Sequence, residues 1–127
     1  MSKTILDASA LLTMLRREPG ADKVEAVIPD AIMSTISLGE VLQKLVDAGA
    51  PEPEAFEAVA GLGITFVDVD VGLARGSARL RASTRSAGLS LGDRMCLALG
   101  EELDLSLLTA DRAWAALGLS LKVHVIR

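Results

Sequence analysis

The chain has 127 residues, 50% of them hydrophobic and 24% charged, a balance that excludes disordered and fibrous classes and predicts one domain over residues 1–127. It has no apolar run of the roughly 18 residues a membrane span needs, and its single cysteine, Cys96, excludes an internal disulfide framework. The formal net charge of −4 argues against a nucleic-acid partner, but residues 71–92 contain no acid and carry Arg75, Arg79, Arg81 and Arg85, so the charge is segregated.

In chain order, "KTIL" (3–6) predicts a short strand followed at once by Asp7. "ASALLTMLRRE" places Leu11, Leu12 and Leu15 at helical spacing and stops at Pro19-Gly20; "ADKVEAV" predicts a short second helix ahead of Pro29. "AIMSTI" (31–36) predicts strand two. Ser37 is expected to cap the next helix, whose apolar stripe is Leu38, Val41, Leu42 and Leu45, with Glu40 on the opposite face in the first turn. "PEPEAFEAVAGLG" has proline at its start and glycine at its end, the asymmetry of a helix. "ITFVDV" (64–69) predicts strand three, residues 72–87 a long Arg-rich helix, and residues 91–103 a helix apolar on most sides. "LSLLTA" (105–110) predicts strand four, Asp111 opens a short helix with Trp114 and Leu117, and "LKVHVI" (121–126) predicts strand five. Strands alternating with helices predict an α/β fold with a mostly parallel sheet covered on both faces.

One tetrapeptide occurs twice, "SLGE" at 37–40 and "SLGD" at 90–93. Each has the spacing of a capping box, in which a serine oxygen accepts from the N–H three residues on and the acid reaches back. That local role accounts for either acid alone. It does not account for Asp7, Glu40 and Asp111 all following predicted strands, where parallel sheets bind ligands, with Asp93 opening the helix that leads into strand four. Clustered carboxylates repel unless a cation lies between them, and an all-oxygen set suits Mg²⁺ or Mn²⁺. Other chemistries are poorly supplied. His124, the only histidine, falls inside strand five and reads as structural; Cys96 and Met95 read as core. No Ser-His-Asp set, zinc ligand set or phosphate loop can be assembled.

"ILDASALL", "ISLGEVL", "LSLGDRMCLALG" and "LLTADRAW" resemble, in order, the four acidic motifs of the PIN domain, and most closely those of the VapC-type toxins of toxin–antitoxin pairs. The resemblance spans nearly the whole chain. It implies an α/β/α sandwich around a five-stranded parallel sheet, and a Mg²⁺- or Mn²⁺-dependent cytoplasmic ribonuclease, usually dimeric, silenced by a VapB-type antitoxin. By the same resemblance Asp7 and Asp93 are expected as the main metal ligands. Glu40 and Asp111 complete the cluster, and Ser9 and Thr109 orient carboxylates or waters. Arg94 and Arg112, each beside an acid, are expected on phosphate. The arginine segment (Arg75, Arg79, Arg81, Arg85) is expected to hold RNA through shape and phosphate contacts, since aromatics for base stacking are scarce. Two rival readings are a small Mg²⁺-dependent phosphatase or receiver-type domain, and a non-catalytic binding module in which the acids serve only as caps.

Overall fold

The computed structural model describes residues 3–127. Its elements are β1 (Thr4–Leu6), α1 (Ala8–Leu15), α2 (Ala21–Val27), β2 (Ala31–Ser34), α3 (Thr35–Asp47), α4 (Glu52–Ala60), β3 (Thr65–Val67), α5 (Val71–Thr84), α6 (Leu91–Leu103), β4 (Ser106–Thr109) and β5 (Val123–Val125), with short 3-10 turns at Ile28–Asp30, Arg85–Ala87 and Arg112–Ala116. The five strands form one sheet in the order β3-β2-β1-β4-β5, and every pairing is parallel. This is the predicted α/β sandwich, with a sheet wholly rather than mostly parallel.

The strands are short and apolar because both faces are covered. Successive residues point to opposite faces, and the core divides accordingly. Ile5, Ile32 and Leu107 pack with Leu73, Leu80, Leu97, Leu99 and Trp114 on the side of α5 and α6. Their neighbours Leu6, Met33 and Leu108 pack with Leu11, Val24, Val41 and Val59 on the side of α1 to α4. Ile126 is fastened to the layer of α1 to α4. Gly20 has φ +98°, and a Cβ there would stand 2.6 Å from the Ile126 carbonyl oxygen, so only glycine suits this turn.

Strand two departs from its expected boundary in a way that bears on the site. It ends at Ser34, two residues early, because Ser34 is itself the cap of α3, its side chain accepting from the Ser37 N–H at 3.1 Å. Ser37 is therefore inside the helix and buried, not its cap, and Glu40 lies in the second turn rather than the first. The segment opened by Asp111 is a 3-10 turn, not an α-helix.

Candidate active site

The site is built from the ends of the two central strands. Asp7 directly follows β1 and is only 4% exposed. It caps α1, its Oδ1 accepting from the Ala10 N–H at 2.8 Å. Ser9 Oγ lies 2.8 and 2.9 Å from the two carboxylate oxygens, and Thr109 at the end of β4 donates to Oδ2 at 2.5 Å. The two hydroxyls also tie the start of α1 to the end of β4. Ser9 Oγ accepts from the Ala110 N–H at 2.9 Å, and Thr109 Oγ1 accepts from the Asp111 N–H at 3.0 Å. Asp7 is thus fixed in place on both oxygens. Burial nevertheless pushes its pKa up, from 3.8 to about 6, against the lowering effect of the Thr109, Ala10 and Ser9 hydrogen bonds and with a further push from Asp93.

Asp93 and Asp111 are held by one oxygen each. Ser90 and Asp93 form a complete capping box at the start of α6: Asp93 Oδ2 accepts from the Ser90 N–H at 2.9 Å, and Ser90 Oγ accepts from the Asp93 N–H at 3.1 Å. Asp111 Oδ1 accepts from the Ala113 N–H at 3.0 Å. In each case the second carboxylate oxygen takes no hydrogen bond among the described residues. Glu40 is different. Among the described residues no backbone N–H holds it, and its carboxylate packs against the Cα of Gly92, where a Cβ would stand 2.7 Å from the Glu40 Cδ. The glycine of "SLGD" therefore makes room for the acid of "SLGE". Burial raises the pKa of Glu40, Asp93 and Asp7 raise it further, and Lys44 lowers it.

All four acids line one open cavity of about 200 Å³, together with Ser9, Lys44, Leu12, Ala8 and Trp114. A larger hollow of about 660 Å³ lies between α5 and α6, but its lining, which includes Leu89, Leu91 and Met95, holds no carboxylate. Two lining residues were not singled out from the sequence. Lys44 was legible as the residue one helical turn after Glu40. Trp114, three residues after Asp111, is buried and its indole N–H has no hydrogen-bond partner among the described residues. The donor set suits a hard divalent cation: it is all oxygen, Asp93 raises the pKa of Asp7, and Asp93 and Asp7 raise that of Glu40. Among the described residues no three acidic, histidine or cysteine side chains already stand at the spacing of a formed metal site.

The arginines do not form one patch. By helical spacing Arg75 and Arg79 share one face of α5 and Arg81 lies on another, while Arg85 falls beyond α5 in the 3-10 turn that follows. Arg79 lines a hollow with Glu101 and Glu102, and Arg81 lines the apolar hollow with Leu91. None lines the acidic cavity. Arg94 corrects the expectation of a phosphate contact. It is only 5% exposed, and its guanidinium donates to Thr84 Oγ1 at 2.9 Å, the Leu89 carbonyl at 2.9 Å and the Thr84 carbonyl at 3.3 Å. It ties the start of α6 to the end of α5 and has no free face for RNA. Arg112 is exposed, with Nε donating to the Arg127 carbonyl at 3.2 Å. His124 lies exposed on β5 and does not line the cavity.

Comparison with known proteins agrees with this geometry. The family model described as PIN domain matches residues 4–118. Among solved structures, the chain is similar to a toxin–antitoxin complex from Klebsiella pneumoniae, with 20% identity, 98% of each chain covered and a TM-score of 0.79. It is also similar to a DNA-bound VapBC from Salmonella typhimurium, with 18% identity, 100% of each chain and a TM-score of 0.74. VapBC-5 from Mycobacterium tuberculosis has 27% identity over 100% of this chain and 99% of the other, with a TM-score of 0.67. No curated protein matches. With four carboxylates brought together at the carboxyl ends of β1 and β4, and a family match over nearly its whole length, the chain belongs to the PIN domain family.

Proposed function

We propose that this protein is a Mg²⁺- or Mn²⁺-dependent endoribonuclease of the VapC type. In this reading it is the toxin of a toxin–antitoxin pair, acts in the cytoplasm as a homodimer and is silenced by a VapB-type antitoxin. The observation that carries the reading is the convergence on one cavity of four carboxylates from four separate segments, Asp7, Glu40, Asp93 and Asp111. The VapBC identity of the structural neighbours supports the toxin–antitoxin part.

These four acids are the residues that would hold the metal. When bound, the ion supplies Lewis-acid polarisation of a phosphodiester and lowers the pKa of water. The chain supplies placement. Asp7 is the rigid ligand, locked by Ser9, Thr109 and the Ala10 N–H. Asp93 and Asp111 each keep one oxygen on a helix cap and offer the other. Glu40, free of such bonds, closes the set. RNA is held along the exposed arginines of α5 and the turn that follows it (Arg75, Arg79, Arg81 and Arg85) and by Arg112, through phosphate contacts.

The test is cleavage of single-stranded RNA with Mn²⁺, with EDTA, and with Asp93→Asn. The expected result is cleavage abolished by EDTA and reduced at least ~100-fold by Asp93→Asn, beyond the 10–100-fold typical of residues that merely support a ligand. Stability of the variant in EDTA should change by no more than ~1 kcal/mol, since asparagine still caps. Cleavage by Asp93→Asn at the wild-type rate removes Asp93 from the site, and absence of a carboxylate-dependent Mn²⁺ site leaves a binding module.

A further inference from the structure

We infer that Lys44 takes a phosphate oxygen of the substrate inside the acidic cavity. This rests on the nuclease reading above and adds to it a residue outside the four acidic motifs. Lys44 is on α3, one turn after Glu40, and its side chain lines the cavity with the four carboxylates. Among the described residues it is the only cationic side chain that does so.

Its charge is not spent elsewhere. Among the described residues the only ion pair joins Arg127 and Glu18, 3.5 Å apart. Lys44 is exposed and within electrostatic reach of Glu40, whose pKa it lowers while Asp93 and Asp7 raise it.

The chemistry of entry favours such a residue. Until a cation is bound, a cavity walled by four carboxylates repels a polyanion. The arginines of α5 lie outside it, and Arg94 is occupied by the carbonyls of Thr84 and Leu89 and the hydroxyl of Thr84. Lys44 remains as the group able to meet a phosphate at the acids. Its ammonium, a compact charge with three donors on a flexible stem, reaches an oxygen without demanding one orientation.

The same charge opposes a divalent cation bound by those acids. Lys44 therefore has two effects of opposite sign, attraction of phosphate and repulsion of metal, and a helix-surface lysine with only a structural role would show neither. The experiment compares wild type, Lys44→Met and Lys44→Arg. Metal-free protein is titrated with Mn²⁺ alone by calorimetry, and cleavage of a short single-stranded RNA is followed at several salt concentrations.

For Lys44→Met, Mn²⁺ binding should tighten about threefold or more as a nearby like charge is removed. Its KM for RNA should rise about tenfold with a smaller change in kcat, and the salt dependence should fall by roughly 0.7 in log–log slope, one phosphate contact's share. Lys44→Arg should restore KM and slope. Melting temperatures should agree, because the side chain is exposed. A wild type that cleaves RNA, with a Lys44→Met variant unchanged in both Mn²⁺ affinity and KM, overturns this inference and leaves the nuclease reading standing. A wild type that neither binds Mn²⁺ nor cleaves RNA overturns both.

Discussion

The two copies of the tetrapeptide, Ser37–Glu40 and Ser90–Asp93, share three of four residues and do different things. In the second copy the serine is the cap of α6 and the acid closes a capping box, so Asp93 is held by the backbone it helps to start. In the first copy the helix has already begun at Thr35, capped by Ser34; Ser37 is buried in its first turn, and Glu40 points into the cavity with no backbone donor. The difference is a register of one helical turn. A cap fixes a carboxylate and spends one of its oxygens; a position one turn further in leaves the side chain long and free. The pair thus provides one anchored acid and one mobile acid, and they meet because the glycine of one copy lies under the carboxylate of the other.

The largest expected effect is on Asp7, whose charge both acids oppose. In the fold Asp7 keeps its proton to about pH 6, whereas the unfolded chain loses it near 3.8. The native state therefore binds more protons between those values, and stability falls as pH rises through that window. The gap corresponds to about 3 kcal/mol. Asp7→Asn should raise stability in EDTA by up to that amount at pH 7.5 and by little at pH 4, measured by denaturant unfolding. An equal gain at both pH values would mean that the charge is not the cause.

Next in size is the contact between the copies. Gly92→Ala drives a methyl group into the Glu40 carboxylate, which turns away because it is the free end of a side chain. Activity should drop at least about tenfold, on the scale of ligand-supporting residues, with little loss of stability. Gly39→Ala is the matched control. A Cβ there meets nothing within 4 Å, so the substitution should add roughly 0.5–1 kcal/mol of helix stability and leave activity alone.

The smallest effect separates the serines. Ser90→Ala and Ser34→Ala each remove a cap and should cost about 1 kcal/mol by thermal unfolding. Ser37→Ala leaves the Ser34 cap bond to the backbone intact and should cost less than either. Equal costs for Ser34 and Ser37 would return the first copy to the register of the second.

The fold was legible because its signals are local and repeated. Five apolar runs, the first four each followed by helical spacing, specify a parallel sheet, and every strand was found to within two residues of its ends. Asp7, Asp93 and Asp111 were legible for the same reason, since each lies beside a strand end or helix start; Glu40, a turn further into α3, was legible through its tetrapeptide. What was hidden depended on choices among equivalent neighbours or on partners distant in sequence. Ser34, Thr35 and Ser37 can all cap, and the glutamate after Ser37 favoured the wrong one. Arg94 stands beside an acid in sequence, yet the helix turns it about 100° away, onto the Thr84 and Leu89 carbonyls at the end of α5. The division of the α5 arginines between two faces was readable from their spacing, whereas the hollows they line depend on α6.

The hydrogen bond from Thr109 to Asp7 crosses 102 residues of sequence, and this sets when the four-acid cavity can assemble. A ribosome releases β1 well before β4. Until β4 pairs with β1, Asp7 lacks its Thr109 donor, and Asp93 and Asp111 have no strand edge to share with it. The early segments can form β1, β2 and β3 side by side, yet that half-sheet holds only two of the four acids. Contacts this distant in sequence also form slowly. The four-acid cavity therefore assembles only after β4 has emerged and paired with β1.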